Sequence, residues 1–276
     1  MHRYVTLLVC VCLILALTAS AVAAPRLYKE TWSVDGSTSG WYAQDAGTIS
    51  HDDANDWLSW TVADGSGWMR ITGDGAASGG AYQGDLASLN PSAFELDFAR
   101  DSGTMDELRF MMIGGDHTTG WMYYLTPPTV GGGEQHYVCP LTSSAGWTMS
   151  GVDSFSNVLG RVQHVELEFR DTSGTWSGTG HLDNFDLVPQ RGDANRDGLV
   201  NDADLSLLLT YWPDGNNPTT WERGDFDGDQ DTGDSDLSWL LTNWSSSSAT
   251  GAPVPEPATL TLLALGACLP LLRKRR

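Results

Sequence analysis

The sequence predicts a mainly β protein: an antiparallel β-sandwich, then a small module of two helices, each preceded by an acidic loop. Three observations predict it. Between Pro25 and Pro189, apolar and polar residues alternate over short runs separated by Gly-, Ser- and Asp-rich turns. A 21-residue segment, Gly192 to Trp212, repeats without a gap at Gly224 to Trp244. Apolar segments of helical character open and close the chain.

The chain begins as an export signal would. His2 and Arg3 make a positive start, Leu7 to Leu17 is apolar, and small residues follow from Ala19 to Ala24. Ala21 and Ala23 satisfy the small-x-small rule, which places cleavage near Ala23 and assigns residues 1–24 to a signal peptide.

Residues 25–190 carry the strand pattern. In Ala93 to Arg100, Phe94, Leu96 and Phe98 fall on one face and Glu95 and Asp97 on the other. Val165, Leu167 and Phe169 alternate with Glu166, Glu168 and Arg170. Further runs lie at Trp57 to Val62, Trp68 to Thr72, Leu108 to Ile113, Trp121 to Leu125, Tyr137 to Leu141 and Leu182 to Val188. No stretch of useful length here has helical periodicity, so many short strands imply a sandwich. The domain is rich in tryptophan. Trp faces stack on sugar rings when exposed and fill the core when not. Trp41, Trp121 and Trp147 each follow a glycine in a turn-like context and are the candidate sugar-stacking residues.

The repeat carries the strongest chemistry. In the first copy, Asp193, Asn195 and Asp197 put side-chain oxygens at loop positions one, three and five. Position seven offers the carbonyl of Leu199, position nine is Asn201, and Asp204 closes the loop at twelve. Alternating oxygens on a tight turn suit calcium, which takes six to eight of them, and Gly198 stands where the loop turns sharply. The second copy supplies Asp225, Asp227, Asp229, the carbonyl of Asp231, and Asp236. There Gln230 replaces the glycine and Gly233 the position-nine ligand, so a weaker second site is expected. After each loop, Leu205, Leu208, Leu209 and Trp212, and likewise Leu237, Leu240, Leu241 and Trp244, make one apolar helix face. The two faces should pack together, with calcium fixing the helix starts.

This construction, with Asp rather than Glu at position twelve, resembles a type I dockerin module, here residues 191–245. The resemblance implies docking onto a cohesin-type protein through loop positions ten and eleven, which are Asp202 and Ala203, then Asp234 and Ser235. A calcium-folded stalk is the alternative role. After a Ser-rich linker (246–254), Pro255-Glu256-Pro257 precedes an apolar stretch, Ala258 to Leu272, and a basic cluster, Arg273 to Arg276. As a helix those fifteen residues span about 22 Å, short of a bilayer core of about 30 Å, and the basic cluster would halt transfer. The order resembles the PEP-CTERM sorting tail, also known as the ice-binding protein C-terminal type, and assigns 255–276. It implies handling by sorting machinery at the inner membrane, with transient anchoring there and final placement at the cell surface or in the extracellular matrix.

HLDNFDLV (His181 to Val188) resembles the last strand of jelly-roll carbohydrate-binding domains, and the opening LYKETWS resembles laminin-B-like and galactose-binding-like sandwiches. Related jelly rolls join first and last strands through a structural calcium, which implies a third site at Glu30 and Asp183.

Between Pro25 and Val254 there are 10 basic residues against 34 acidic ones. That balance argues against nucleic acid and anionic membranes as partners. Cys139 is the one cysteine outside the two end segments and reads as a small buried residue. Glu166 and Glu168 share a strand face, read as solvated, with backbones about 6.7 Å apart, a spacing a glycosidase could use. The histidines show no ligand spacing. The reading is a non-catalytic exported protein that binds calcium and whose sandwich binds polysaccharide or pads the matrix, with no catalytic residues; the alternative is a small glycosidase or lyase tethered by its dockerin.

Overall fold

Six strands build the first sheet in the order β3 (Thr48–Asp52), β4 (Trp57–Gly65), β12 (Trp176–Val188), β6 (Ala93–Gly103) and β9 (Gln135–Pro140), with β1 (Lys29–Glu30) pairing the far end of β12. The second sheet runs β10 (Trp147–Ser150), β8 (Gly120–Leu125), β7 (Glu107–Gly114), β11 (Val162–Arg170), β5 (Met69–Gly73) and β2 (Tyr42–Asp45). Every pairing is antiparallel. This computed structural model describes residues 26–115, 119–212 and 220–245. The expected signal peptide, linker and sorting tail lie outside the described residues. Among the described residues no helix is long and apolar enough to cross a membrane.

The sheets face each other across the alternation expected from the sequence. Phe94, Leu96 and Phe98 of β6 and Val165, Leu167 and Phe169 of β11 are all buried in one core. Trp60 of β4 stands between the sheets, its ring centroid 5.7 Å from that of Phe98 and 4.8 Å from that of Phe169. Each such aromatic, fully withdrawn from water, contributes about 2–3 kcal/mol. The expected runs all appear as strands. Strands β2, β3 and β10 carried no clear pattern, because they lie at sheet edges and leave most side chains partly exposed. One five-residue helix, α1 (Phe155–Leu159), covers an end of the core with Phe155, Val158 and Leu159.

The repeat folds as two loop-helix halves with α2 (Asp202–Thr210) and α3 (Asp234–Thr242). Ala194, Val200, Leu208, Phe226 and Leu240 form a second, small core. The halves interlock reciprocally. Gly192 lies against the Leu240 backbone and Gly224 against Leu208, and both have positive φ (104° and 98°). A side chain at either place would meet the opposite helix and a left-handed backbone at once. The helix faces are corrected in one respect. Leu208 and Leu240 are buried with Leu205 and Leu237 beside them, but Leu209, Leu241 and Trp244 are exposed. Two nine-residue helices cross over too short a length to cover the whole apolar stripe of each.

Candidate metal loops and a candidate binding face

Each loop wraps its own backbone around the first and last carboxylates. In the first, Asp193 accepts hydrogen bonds from the amides of Asp197 (3.1 Å) and Gly198 (2.9 Å). Asp204 accepts from Asn195 N (3.1 Å) and Asn201 N (2.9 Å), which ties the loop to the start of α2. Asn195 and Asp197 are exposed, and their side chains accept from Asp197 N and Leu199 N. Asn201 caps α2 by accepting from Ala203 N at 2.8 Å. The second loop repeats the pattern. Asp225 accepts from Gly228 N and Gln230 N, Asp236 from Phe226 N and Gly233 N, Asp227 from Asp229 N, and Asp229 from Asp231 N.

The electrostatics of these loops ask for a cation. Asp193, Asp204 and Asp236 are buried, and among the described residues none of the three forms an ion pair with a basic side chain. Burial, with the nearby Asp204 charge adding to it, pushes the Asp193 carboxyl up to about 6. Burial raises Asp236 as well. In the second loop, oxygens of Asp225, Asp227 and Asp229 all lie within 4.8 Å of one another. An oxygen-only, acidic donor set with amides closing the loop fits a hard divalent cation. Leu199 and Asp231 follow the expected side-chain donors, at the turn into each helix. Asp202, Ala203, Asp234 and Ser235 are exposed at the helix starts.

Glu30 and Asp183 are not brought together. Glu30 turns inward, where its carboxylate accepts from Trp32 N (2.9 Å) and the Ser78 hydroxyl (2.6 Å). Asp183 stands opposite Asp97 and accepts from Asn184 N, on the outer face of the first sheet. A bulge between Asp183 and Asp186 changes the register, so Phe185, not Asp183, shares the inward side with Glu30.

Two of the three candidate stacking residues are core. Trp41 is 2 % exposed, packs on Phe185 and Tyr82, and donates its ring N–H to Ser78. Trp147 is 7 % exposed, lies against Phe110 and Tyr123, and donates to the Pro140 carbonyl. In both cases the preceding glycine (φ +80° and +84°) turns the chain so that the indole points inward. Trp121 is half-buried against Phe155 and donates to the Asp153 carbonyl. No large ring face is left free on Trp41 or Trp147.

The outer face of the second sheet holds a polar and aromatic array of which the sequence singled out only Glu166 and Glu168. Register aligns Tyr42, Thr72, Glu166, Met111, Met122 and Thr148 in one row across six strands. The next row is Gln44, Arg70, Glu168, Arg109 and Tyr124. Glu166 and Glu168 are buried rather than solvated, because long neighbours on both sides cover them. The Glu168 carboxylate is held by Arg70 Nε at 2.7 Å and by Arg109 Nε. Arg70 also reaches Asp45 (3.1 Å), and the Arg109 and Arg170 guanidiniums lie over the Trp68 ring at 4.0 and 4.3 Å from its centroid. Glu166 faces His164 Nε2 at 3.2 Å. Tyr42 and Tyr124, 38 % and 52 % exposed, flank this fixed centre. Four strand spacings, about 19 Å, separate them. Their signal was in the sequence only as polar positions between core residues.

No protein family and no curated protein matches the sequence. Among solved structures, the chain is similar to a family 11 carbohydrate-binding module from Clostridium thermocellum in complex with a β-1,3-1,4-mixed-linked tetrasaccharide. Identity is 11 %, coverage 60 % of this chain and 97 % of that one, and the TM-score 0.39. An exo-β-agarase matches at 10 % identity over 58 % of this chain and 25 % of its own, with a TM-score of 0.43. The L4b domain of human laminin α-2 matches at 11 % identity over 63 % and 95 %, with a TM-score of 0.32.

Proposed function

We propose that this chain is an exported, non-catalytic surface protein whose duplicated loops bind two calcium ions. The observation that carries the reading is the set of buried carboxylates that closes each loop and, among the described residues, meets no basic side chain: Asp193 with Asp204, and Asp236 in the second copy. Calcium there would be held by Asp193, Asn195, Asp197, Asn201, Asp204 and the Leu199 carbonyl. The second ion would take Asp225, Asp227, Asp229, Asp236 and the Asp231 carbonyl. When bound, the ion supplies positive charge that the chain itself lacks at these positions, and it holds each helix start against its loop. The exposed Asp202, Ala203, Asp234 and Ser235 are then available to a cohesin-type partner. Residues 1–24 and 255–276 would serve export and sorting.

The sandwich, in this proposal, binds polysaccharide on the outer face of its second sheet. Tyr42 and Tyr124 would stack on sugar rings, and the Arg70–Glu168–Arg109 network would present donors between them at fixed positions. The same network supports a binding role over a catalytic one. A glycosidase needs one carboxyl free to give a proton to the leaving group and a second free to meet the sugar or a water, and here guanidiniums occupy both oxygens of Glu168.

Isothermal titration of the chelator-stripped protein with calcium tests the first part, with two bound ions expected and the second weaker. Heat of dilution alone overturns it. A glycan array with the wild type and Tyr124→Ala tests the second. Loss of a stacked ring should weaken binding about tenfold. Glycan binding unchanged in Tyr124→Ala and in Tyr42→Ala overturns this face as the site.

A further inference from the structure

The two loops place their glycines differently at positions four and six. At position four the first loop has Arg196 with φ 58°, where the second has Gly228 with φ 79°. At position six the first has Gly198 with φ 87°, where the second has Gln230 with φ 70°. The backbone is left-handed at all four positions, so glycine is the cheaper residue at each. The first loop gives up glycine at position four, and the second gives it up at position six.

Contacts with the sandwich account for both residues of the first loop. Arg196 makes a two-pronged ion pair with Asp186 of β12, at 2.9 and 3.2 Å, and both side chains are largely buried. Its Nε lies 3.4 Å from Glu222 of the module itself. A Cβ at position six of this loop would stand 2.9 Å from the Leu89 carbonyl oxygen, in the turn Leu86–Leu89 of the sandwich. Gln230 shows that a side chain is compatible with the loop itself, so the close approach of the sandwich excludes one at Gly198. Beside this contact, Gln190 accepts from Asn90 (2.6 Å) and donates to Asn243 (3.1 Å), which joins sandwich, connector and the end of α3. A cleft of about 670 Å³ opens alongside, with Glu95, Val138 and Asp186 on the sandwich side and Trp221 and Asp227 on the module side.

We propose that the first metal loop is the docking surface for the chain's own sandwich, so that calcium binding there and sandwich stability are coupled through Arg196 and Asp186. This rests on the calcium reading. The loop must be wound for Arg196 to reach Asp186, and whatever winds it tightens the docking. By reciprocity the docked sandwich raises the affinity of the first site. The second loop has glycine at position four and so carries no side chain there to make the same pair.

Calorimetric unfolding and calcium titration of the full chain test this with Arg196→Gly, which installs the second loop's residue, and with Asp186→Asn, which leaves the loop untouched. The wild type should unfold in one transition that calcium moves upward. Each variant should still bind two ions, lose about tenfold in affinity at the tighter site, and show a sandwich transition that calcium no longer moves. Should Arg196→Gly fail to fold, Asp186→Asn decides alone. Variants with wild-type affinity and a single calcium-shifted transition overturn the docking. A wild type that takes up no calcium overturns the calcium reading instead, and the splitting of the transition in the variants then still decides whether the loop docks.

Discussion

Neutralising Asp193 should have opposite effects with and without metal. In the metal-free fold this carboxyl sits at about 6, against an ordinary value of 3.8. A carboxyl raised on folding binds its proton more tightly in the native state than in the unfolded chain. Native stability is therefore lost as pH rises from about 4 to about 6, and by neutral pH the loss is about 3 kcal/mol. Asp193→Asn removes that cost. It also leaves one of the two amides that Asp193 serves, Asp197 N or Gly198 N, facing an amide donor, at about 1–2 kcal/mol. The balance in chelator at pH 7 is a module more stable by about 1–2 kcal/mol. In calcium at a hundred times the dissociation constant, the wild type gains about 2.7 kcal/mol from the site and the variant does not. Hydrogen exchange over 192–245 in the full chain reads both states. Protection should rise in chelator and fall in calcium, and the decline of protection between pH 4 and 6 should flatten. A variant less protected in chelator, with the wild-type pH slope intact, refutes the argument that Asp193 is an uncompensated buried charge.

Two further outcomes follow from the packing. Glu168→Ala leaves Arg70 and Arg109 facing each other without their shared carboxylate and should cost about 3–5 kcal/mol in chemical denaturation; a loss below about 1 kcal/mol would place the network at the level of a solvated ion pair. Gly192→Ala forces a left-handed alanine against the Leu240 backbone and should destabilise the module by about 2 kcal/mol or more, seen as faster exchange in α3. Unchanged exchange there would mean that the halves do not interlock at Gly192.

The sequence alone determined the fold class, a β-sandwich with a small helical part. Strand alternation at Phe94, Leu96, Phe98 and at Val165, Leu167, Phe169 is a local property, since successive side chains of a strand must point to opposite faces. The loop spacing from Asp193 to Asp204 is local too, and backbone amides of the loop close on both of these carboxylates. What lies across the chain was not legible. Trp41 and Trp147 look alike before and after folding, and only the two stacked sheets decide that their rings are interior. Glu166 and Glu168 read as solvent-facing because alternation gives the side of the sheet but not what covers it. Arg70 and Arg109 arrive from strands 98 and 59 residues away to cover Glu168. The Arg196–Asp186 pair is only ten residues long in sequence, but it exists because the connector folds the first loop back onto β12. Local periodicity fixes which face a side chain takes. Which neighbour meets it there is set by register and by the packing of one unit on another, and no single segment of sequence contains either.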